Sequence, residues 1–345
     1  MLQQTINSIK PLHQEAMEEA QKHLDFLLKP QGSLGKLEDI ARQMAGITGN
    51  VQNTLAKKMI IVGCSDNGIH EEGVAVTPQD VSWLIADCMV RGIAGVATLG
   101  RHAGADLRVI DLGLLKDVPT PGVVNRKIQR STSNFAKQQA MTREEAIRAI
   151  EIGIEETNKA FDEGYDLVAT GEVGIANTTT SSAMLYAFTG KSLDVLVGRG
   201  AGLDDAGLKL KKECIQQACE LHKPDAADPI DVLAKVGGFD IACMAGTFLA
   251  AAARRKPVVM DGFISGVAAL LAVRLCPEVK GYIFPSHGSA EPGTRVIFEE
   301  LGMEPMLQMN MRLGEGTGAA LAFHILDAAM YMMNNMGTFA HIGMA

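Results

Sequence analysis

The chain has few of the features that mark a nucleic-acid-binding protein. It carries 32 lysines and arginines against 40 acidic residues, and its formal net charge is −8. The basic residues form no block, and aromatic residues make up only 5% of the chain. Binding to a phosphate backbone needs a basic surface, and binding to single strands adds aromatic stacking. The composition therefore predicts no nucleic-acid partner.

Paired cysteines are also missing. The six cysteines include no CxxC pair, and no cysteine or histidine group has the spacing of a zinc site. Most of them lie in apolar runs, which is typical of reduced thiols in a cytoplasmic protein. The first residues lack a secretory signal, and the apolar stretches 241–253 and 263–275 are too short to cross a bilayer. These patterns predict a cytoplasmic protein without a membrane segment, a metal or a cofactor.

From residue 58 onward, short apolar runs alternate with helical patterns. Continuous apolar strands joined by helices favour a parallel sheet with helices on both faces, so the predicted fold is α/β and Rossmann-like. Ligands of such sheets bind beyond the carboxyl ends of the strands. The predicted strands are 59–63, 107–111, 167–170, 195–197, 257–261 and 281–284.

Both ends of the chain have helical patterns. Apolar residues recur at helical spacing over 11–28 and 34–46, and a long apolar helix is predicted after residue 315. We predict that 1–54 and 315–345 together form a small helical domain beside a large nucleotide-binding domain at 55–314.

Two glutamates lie between glycines just before a predicted helix. They are Glu172, in Gly171-Glu172-Val173-Gly174, and Glu315, in Gly314-Glu315-Gly316. Glycine lets a backbone approach a ligand closely, and a buried glutamate can acquire a pKa suited to proton transfer. Either residue alone could instead be a capping carboxylate that the helix dipole favours. Two such sites favour an enzyme that moves a proton.

The first of these runs continues as a candidate phosphate site. Gly174 and Ala176 are followed by a run of four polar residues, Asn177, Thr178, Thr179 and Thr180, at the start of a predicted helix. Hydroxyls and free amides at a helix start bind anions. Capping explains one such residue but not a run of four.

A second glycine-rich turn covers residues 198–205. Its spacing is not GxGxxG, so a nicotinamide-dinucleotide dehydrogenase is disfavoured. Lys211, in the helix that follows, could reach a phosphate or could be solvated. The segment 286–291 after the last strand could add hydroxyls or an imidazole to the same pocket, and the polar loop 66–73 could wall it.

Several motifs in order closely resemble those of the nicotinate-nucleotide–dimethylbenzimidazole phosphoribosyltransferase family, which acts in cobalamin lower-ligand synthesis. The resemblance covers nearly the whole chain. The matching stretches are 28–38, 71–78, 171–179, 235–240, 261–263, 311–316 and 335–339.

The resemblance implies a reaction and a set of roles. The family transfers phosphoribose from nicotinate mononucleotide to an aromatic base, giving α-ribazole 5′-phosphate and nicotinate, and it works as a dimer. By this similarity, Glu315 is the base that removes the N–H proton of the acceptor, and Glu172 is a second carboxylate nearby. The resemblance places the phosphate and ribose at Gly174, Ala176, Asn177, Thr178, Thr179, Gly200, Ala201, Lys211, Ser289, Gly314 and Gly316.

The chain departs from the family where the acceptor base should bind. It has Asp66-Asn67-Gly68 where the family is expected to have Asp-His-Gly. The base pocket is expected from Asp66, Asn67, Thr77, Ile85 and Leu313. Thr77, Trp83 and Ile85 stand where the family often has smaller or more polar residues, so a less polar pocket is expected. Dimethylbenzimidazole is the default acceptor. The alternatives are a phenol or p-cresol attacking through oxygen, with a heterodimer in place of a homodimer, and a catalytically silent homologue. The retention of both glutamates speaks against the silent homologue.

Overall fold

A computed structural model describes residues 1–344 of the chain. Six parallel strands form a single sheet in the order β3-β2-β1-β4-β5-β6. The strands are β1 (Lys58–Ser65), β2 (Ala105–Gly113), β3 (Val124–Asn125), β4 (Leu167–Val173), β5 (Val258–Met260) and β6 (Ile283–Pro285). Every residue of β1 and β4 is buried. The predicted fold class, a Rossmann-like parallel sheet surrounded by helices, is confirmed.

Fourteen α-helices accompany the sheet among the described residues. They are α1 (Leu2–Ser8), α2 (Gln14–Phe26), α3 (Lys36–Thr48), α4 (Asp80–Val90), α5 (Gly95–His102), α6 (Arg143–Asp162), α7 (Asn177–Thr189), α8 (Leu193–Leu196), α9 (Asp205–His222), α10 (Pro229–Val236), α11 (Phe239–Ala253), α12 (Phe263–Leu275), α13 (Gly293–Leu301) and α14 (Thr317–Asn335). One group, α6, α11 and α12, packs together against the sheet, and a second group is formed by α4, α5 and α14.

The prediction of a strand at 195–197 is wrong. Residues Leu193–Leu196 form the short helix α8, in which the Ser192 side chain accepts a hydrogen bond from the Asp194 amide. A three-residue apolar run has too little periodicity to separate a strand from a buried helical turn. The sixth strand is instead β3, whose two residues pair with Ile110 and Asp111 of β2.

A further apolar stretch, Asp80–His102, is long and apolar enough to cross a membrane by length and composition. In the structure it is divided into α4 and α5 by a turn at 91–94. Gly92 turns the chain there with a φ of +77°. The amides of Ile93 and Ala94 both donate to the Cys88 carbonyl and so close the turn. This stretch therefore forms two helices rather than one continuous span.

The two ends of the chain meet. The helix α14 packs against α3, and α2 packs against α3. The Leu28 amide donates to the Gly337 carbonyl at 2.7 Å, and Leu27 pairs with Thr338 in an isolated bridge. These contacts join the predicted terminal helices. The domain boundaries at residues 54 and 315 stay a prediction, and Ala345, the last residue of the predicted small domain, lies outside the described residues.

The loop between α2 and α3 closes on a buried ion pair. Lys29 Nζ lies 2.8 Å from Glu38 Oε1, and both side chains are less than a tenth exposed. The same carboxylate accepts a hydrogen bond from the Leu34 amide at 2.9 Å. The motif at 28–38 therefore encodes a loop that is closed by one carboxylate.

Two glycines allow the helices α6 and α11 to touch backbone to backbone. A Cβ at Gly246 would lie 2.0 Å from the Ile150 carbonyl oxygen, and a Cβ at Gly153 would lie 2.0 Å from the Cys243 carbonyl oxygen. Further along the same contact, the Thr157 and Thr247 hydroxyls are 3.1 Å apart. The absence of side chains at this crossing sets the distance of α11 from α6.

Gly246→Ala is expected to lower the free energy of unfolding by ~1–3 kcal/mol, because the added methyl overpacks this contact. Urea unfolding followed by circular dichroism measures the change. Gly337→Ala is the matched control, since no atom lies within 4 Å of a Cβ built there. Equal stability of the two variants would contradict the close contact.

Candidate active site

A cavity of about 390 Å³ opens where the strands β1, β4, β5 and β6 end. Segments that follow these strands, together with the Glu315 turn, line it. The lining residues include Val74, Ala75, Thr77, Val81, Ile85, Glu172 to Thr178, Arg199 to Ala201, Asp261 to Ser265, His287, Ser289, Glu291 and Arg312 to Glu315. This is the position at which open parallel sheets bind ligands.

Glu315 lies in a tightly packed turn just before α14. Its φ is +64°, a left-handed conformation that is uncommon for a residue with a side chain. A Cβ at Gly171 would lie 2.2 Å from the Glu315 carbonyl oxygen, so the turn rests directly on β4. Glu315 Oε2 accepts a hydrogen bond from the Val96 amide at 2.9 Å, at the start of α5. The carboxylate is thereby fixed at the edge of the cavity.

Burial raises the pKa of Glu315, the amides of Val96 and Gly95 oppose this change, and the nearby charge of Asp261 adds to it. A carboxylate with a raised pKa is a stronger base once ionised. The residue is therefore suited to taking a proton from a ligand in the cavity.

Glu172 is connected to the Glu315 turn. Its Oε1 accepts a hydrogen bond from the Glu315 amide at 3.1 Å, and its Oε2 accepts one from Asn177 Nδ2. Asn177 Nδ2 also donates to Asp240 Oδ2 at 2.9 Å, so one amide group serves two buried carboxyl groups. Gly314 has a φ of +84°, and a Cβ there would lie 2.2 Å from Glu172 Oε1. Only glycine fits at this position.

Burial, and next the charge of Asp240, raise the pKa of Glu172 to about 8. Burial likewise raises the pKa of Asp240 to about 6. At neutral pH the Glu172 carboxyl group therefore carries a proton in the free protein. The two glutamates of the sequence motifs differ in environment, which is the usual sign of separate roles in proton transfer.

The candidate phosphate site is at the first turn of α7. Gly174, Ala176, Asn177 and Thr178 line the cavity there. Ala176 is the N-cap residue with a φ of +72°, and its conformation turns the chain from β4 into the helix. Helix N-terminal amides favour anions.

Lys211 lies behind this turn and is fully buried. Its Nζ donates to Thr178 Oγ1 at 2.9 Å and to the Gly198 carbonyl at 3.2 Å. Burial lowers the pKa of Lys211 to about 8, although the charge of Glu291 opposes the change. The cation therefore contacts the phosphate turn through Thr178 and is not itself part of the cavity lining.

Other predicted nucleotide-site residues come from two further loops. Gly200, Ala201 and Ser289 line the cavity. The Gly200 φ is +54°, and a Cβ there would lie 3.0 Å from Thr178 Oγ1. Arg312 Nη1 donates to the Gly200 carbonyl at 3.3 Å, which joins this loop to the Glu315 turn.

The predicted base pocket is only partly reproduced in the cavity wall. Thr77, Ile85 and Leu313 line the cavity, beside Val74 and Val81. This part of the wall is mainly apolar, and Leu313 is largely exposed at its edge. It therefore fits an aromatic ring better than a charged group.

Asp66 and Asn67 are fully buried and do not line the cavity. Asp66 accepts a hydrogen bond from the Leu115 amide at 2.9 Å, and Asn67 Nδ2 donates to the Ile175 carbonyl at 3.2 Å. Asn67 therefore supports the cavity wall from behind through Ile175, which lines the cavity, whereas Leu115, the partner of Asp66, does not. Thr179 and Gly316 are likewise buried outside the lining.

Sequence reasoning missed several side chains that the fold brings to the site. They are Asp240, Asp261, Arg199 and Arg312, whereas the imidazole of His287 was expected from the segment 286–291 and does line the cavity. The only available signal for the missed residues was the position of Asp261 at the end of the predicted strand 257–261. Among residues 1–344, no cluster of three or more histidine, cysteine, aspartate or glutamate residues is arranged to hold a metal ion.

Comparison with known proteins gives consistent results. A family model described as phosphoribosyltransferase (DBI_PRT) matches residues 9–344. A nicotinate-nucleotide–dimethylbenzimidazole phosphoribosyltransferase of Ruminiclostridium cellulolyticum is 53% identical over 98% of this chain and 96% of its own length. The protein of the same name from Acetivibrio thermocellus is 52% identical, with 98% and 97% covered.

A solved structure is also similar. The crystal structure of CobT from Thermus thermophilus matches with a TM-score of 0.91 and 36% identity, over 96% of this chain and 99% of that one. Sequence and fold agree over nearly the full length, and the resemblance of the motifs is confirmed. The chain belongs to the DBI_PRT phosphoribosyltransferase family.

Proposed function

We propose that this protein transfers the 5-phosphoribosyl group of nicotinate mononucleotide to 5,6-dimethylbenzimidazole, releasing nicotinate and forming α-ribazole 5′-phosphate. The observation that carries the proposal is the Glu315 carboxylate, fixed by the Val96 amide at a cavity that also contains the first turn of α7. A general base and an anion site in one cavity are what this reaction requires. The names of the relatives favour dimethylbenzimidazole over a phenol as acceptor.

The nucleotide is placed with its phosphate at Gly174 to Thr178 and its ribose toward Gly200, Ala201 and Ser289. Lys211 supports the phosphate through Thr178 and, when charged, adds a favourable potential. The acceptor ring lies against Thr77, Ile85 and Leu313. Holding two reactants in line can contribute up to ~7–11 kcal/mol to lowering the barrier.

The chemistry follows from the two substrates. The ribosyl C1′–N bond of a pyridinium breaks, and its electron pair stays on the nicotinate nitrogen, which leaves neutral and needs no acid. The unprotonated nitrogen of the acceptor attacks C1′ from the opposite face, which turns a β linkage into an α linkage. The second ring nitrogen then becomes acidic, and Glu315 takes its proton.

Glu172 is assigned a supporting role. Its Oε1 accepts from the Glu315 amide, so it orients the turn that carries the base. A protonated Glu172 also avoids a second negative charge beside Glu315, and it can donate a hydrogen bond to a ligand.

We also infer a cytoplasmic enzyme that works as a dimer of identical chains. All six cysteines are free, as expected in a reducing compartment. Several large apolar side chains at the chain ends are exposed, including Phe26, Leu28, Tyr331 and Ile342. Such side chains favour a partner surface.

Glu315→Gln is expected to lower kcat by ~10²–10⁴ because it removes the general base. This loss is measured by chromatographic detection of the nicotinate released with dimethylbenzimidazole, phenol or p-cresol as acceptor.

Binding of nicotinate mononucleotide to the Glu315→Gln variant should persist, and the fluorescence of Trp83, the one tryptophan of the chain, can report it. An unchanged kcat removes Glu315 from the mechanism, and a wild-type enzyme inert with all three acceptors refutes the transferase. Preference for a phenol would change the acceptor.

Lys211→Met is expected to raise the Kd for nicotinate mononucleotide by roughly 10–100-fold, the effect of losing a charge-assisted interaction. Because the pKa of Lys211 is about 8, the wild-type affinity should also fall as the pH rises through that value. Titration calorimetry between pH 6.5 and 9, as a series of about six points, measures both effects. Lys209→Met, on the exposed side of α9, is the control. Equal affinities for the two variants would contradict the assignment.

Glu172→Gln is expected to stabilise the protein at alkaline pH. The folded pKa of about 8 lies above the ordinary glutamate value of 4.5, so the unfolded chain loses its proton first. The free energy of unfolding of the wild type therefore falls as pH rises from about 4.5 to about 8. Glutamine does not ionise, so the advantage of the variant should grow across this window and be small near pH 5.

Urea unfolding at several pH values measures that advantage. Glu18→Gln, at an exposed position of α2, is the control and should change stability little. An advantage of Glu172→Gln that is constant with pH would show that Glu172 is ionised in the folded protein.

A further inference from the structure

The turn that carries Glu315 has no helix cap of its own. Glu315 has a φ of +64°, and the next residue, Gly316, is the N-cap of α14 with a φ of +101°. Glycine has no side chain, so no cap hydrogen bond comes from the N-cap position. A strained left-handed glutamate persists only where surrounding contacts over-determine it.

Asp261 supplies the missing cap from a different part of the fold. It follows β5 directly, and its two carboxylate oxygens accept two amides of the turn. Gly316 N lies 3.1 Å from Asp261 Oδ2, and Ala319 N lies 3.0 Å from Asp261 Oδ1. Ala319 is the third residue of α14, the amide that an ordinary N-cap side chain would accept from. The carboxylate therefore replaces the cap and also holds the residue next to Glu315.

Asp261 is itself held in place. It is 2% exposed, its amide donates to Ser265 Oγ at 3.1 Å, and its carbonyl accepts from Ser286 Oγ at 3.1 Å. His287 Nδ1 lies 3.9 Å from its Oδ1. A Cβ at Gly318 would lie 2.0 Å from His287 Nδ1, so the start of α14 packs directly on this pair.

We propose that Asp261 is the positioning residue for Glu315, because it fixes the geometry of the turn by accepting the amides of Gly316 and Ala319. This inference rests on the proposed transferase reaction. Asp261 acts through Glu315 and takes no proton from the substrate.

The charge of Asp261 also affects the pKa of Glu315, and the direction of this effect can be tested. Groups facing the Glu315 turn are Asp261 after β5, Glu172 in β4, His287 after β6, Arg312 in the same loop, and the amides that begin α5. The charge of Asp261 raises the pKa of Glu315. Replacing Asp261 by a neutral residue should therefore lower that pKa and shift the acid limb of the kcat profile to lower pH.

The test is Asp261→Asn, which keeps the size of the side chain but replaces one acceptor by a donor and removes the charge. We expect kcat to fall about 10²-fold, which is the loss that misplacement of a catalytic group causes. The KM for nicotinate mononucleotide should change by less than about threefold. The acid limb of kcat against pH should move to lower pH. Should Asp261→Asn fail to fold, Asp261→Ser takes its place with the same expected results, because it removes the charge and leaves one shorter hydroxyl where two carboxylate oxygens bound Gly316 and Ala319.

Asp228→Ala is the matched control. Asp228 caps α10 by accepting the Ile230 amide at 3.1 Å, and it does not line the cavity. Its loss should lower Tm and leave kcat and the acid limb unchanged. The inference is overturned if Asp261→Asn keeps the wild-type kcat, if it loses kcat with an unshifted acid limb, or if it loses nucleotide binding. A wild-type enzyme without transfer activity refutes the proposed function instead, so the two failures are distinguishable.

Discussion

The site depends on the way a single turn is held by the strand β4, by the residue that follows β5 and by the start of the helix α5. Glu315 adopts a left-handed conformation, and its backbone lies on Gly171 of β4. Glu172 accepts its amide, and Asp261 accepts the amides that follow. The start of α5 fixes the carboxylate itself. Without these contacts the turn would relax, because a side chain in this conformation is strained.

The same contacts explain the glycines of the motif. Gly314 leaves room for Glu172 Oε1, and Gly171 leaves room for the Glu315 carbonyl. The glycines therefore bring two acidic side chains close together. Burial raises the pKa of both, and the charge of Asp240 adds to this at Glu172, while that of Asp261 adds to it at Glu315. Such a site costs stability, since buried carboxyl groups are desolvated. Natural active sites commonly accept this cost in exchange for chemistry.

The architecture supplies the rest of the stability. The helix α11 packs closely on α6 and against the strands β1 and β4, and the chain ends pack together through α2, α3 and α14. The segments that line the cavity lie outside this scaffold, at the carboxyl ends of the strands. This separation of scaffold and loops is typical of α/β enzymes.

Much of the fold was predictable because it depends on local patterns. Long helices such as α6 and α11, and buried strands such as β1, follow from periodicity and apolar runs over many residues. The short elements α8 and β3 were not predictable, since two to four residues carry no period. The Glu172 and Glu315 motifs also stand out in the sequence, because a carboxylate between glycines has little use in packing.

The fold class, the family and the two glutamates could all be inferred from the order of residues alone. The groups that surround those glutamates become apparent only once the chain is folded. Asp261 and Asp240 lie far from Glu315 along the chain, and Asp66 and Asn67 prove to be behind the wall rather than in it. The pKa and orientation of a carboxyl group depend on burial and on partners from other strands, and these arise only when the sheet brings the strand ends together.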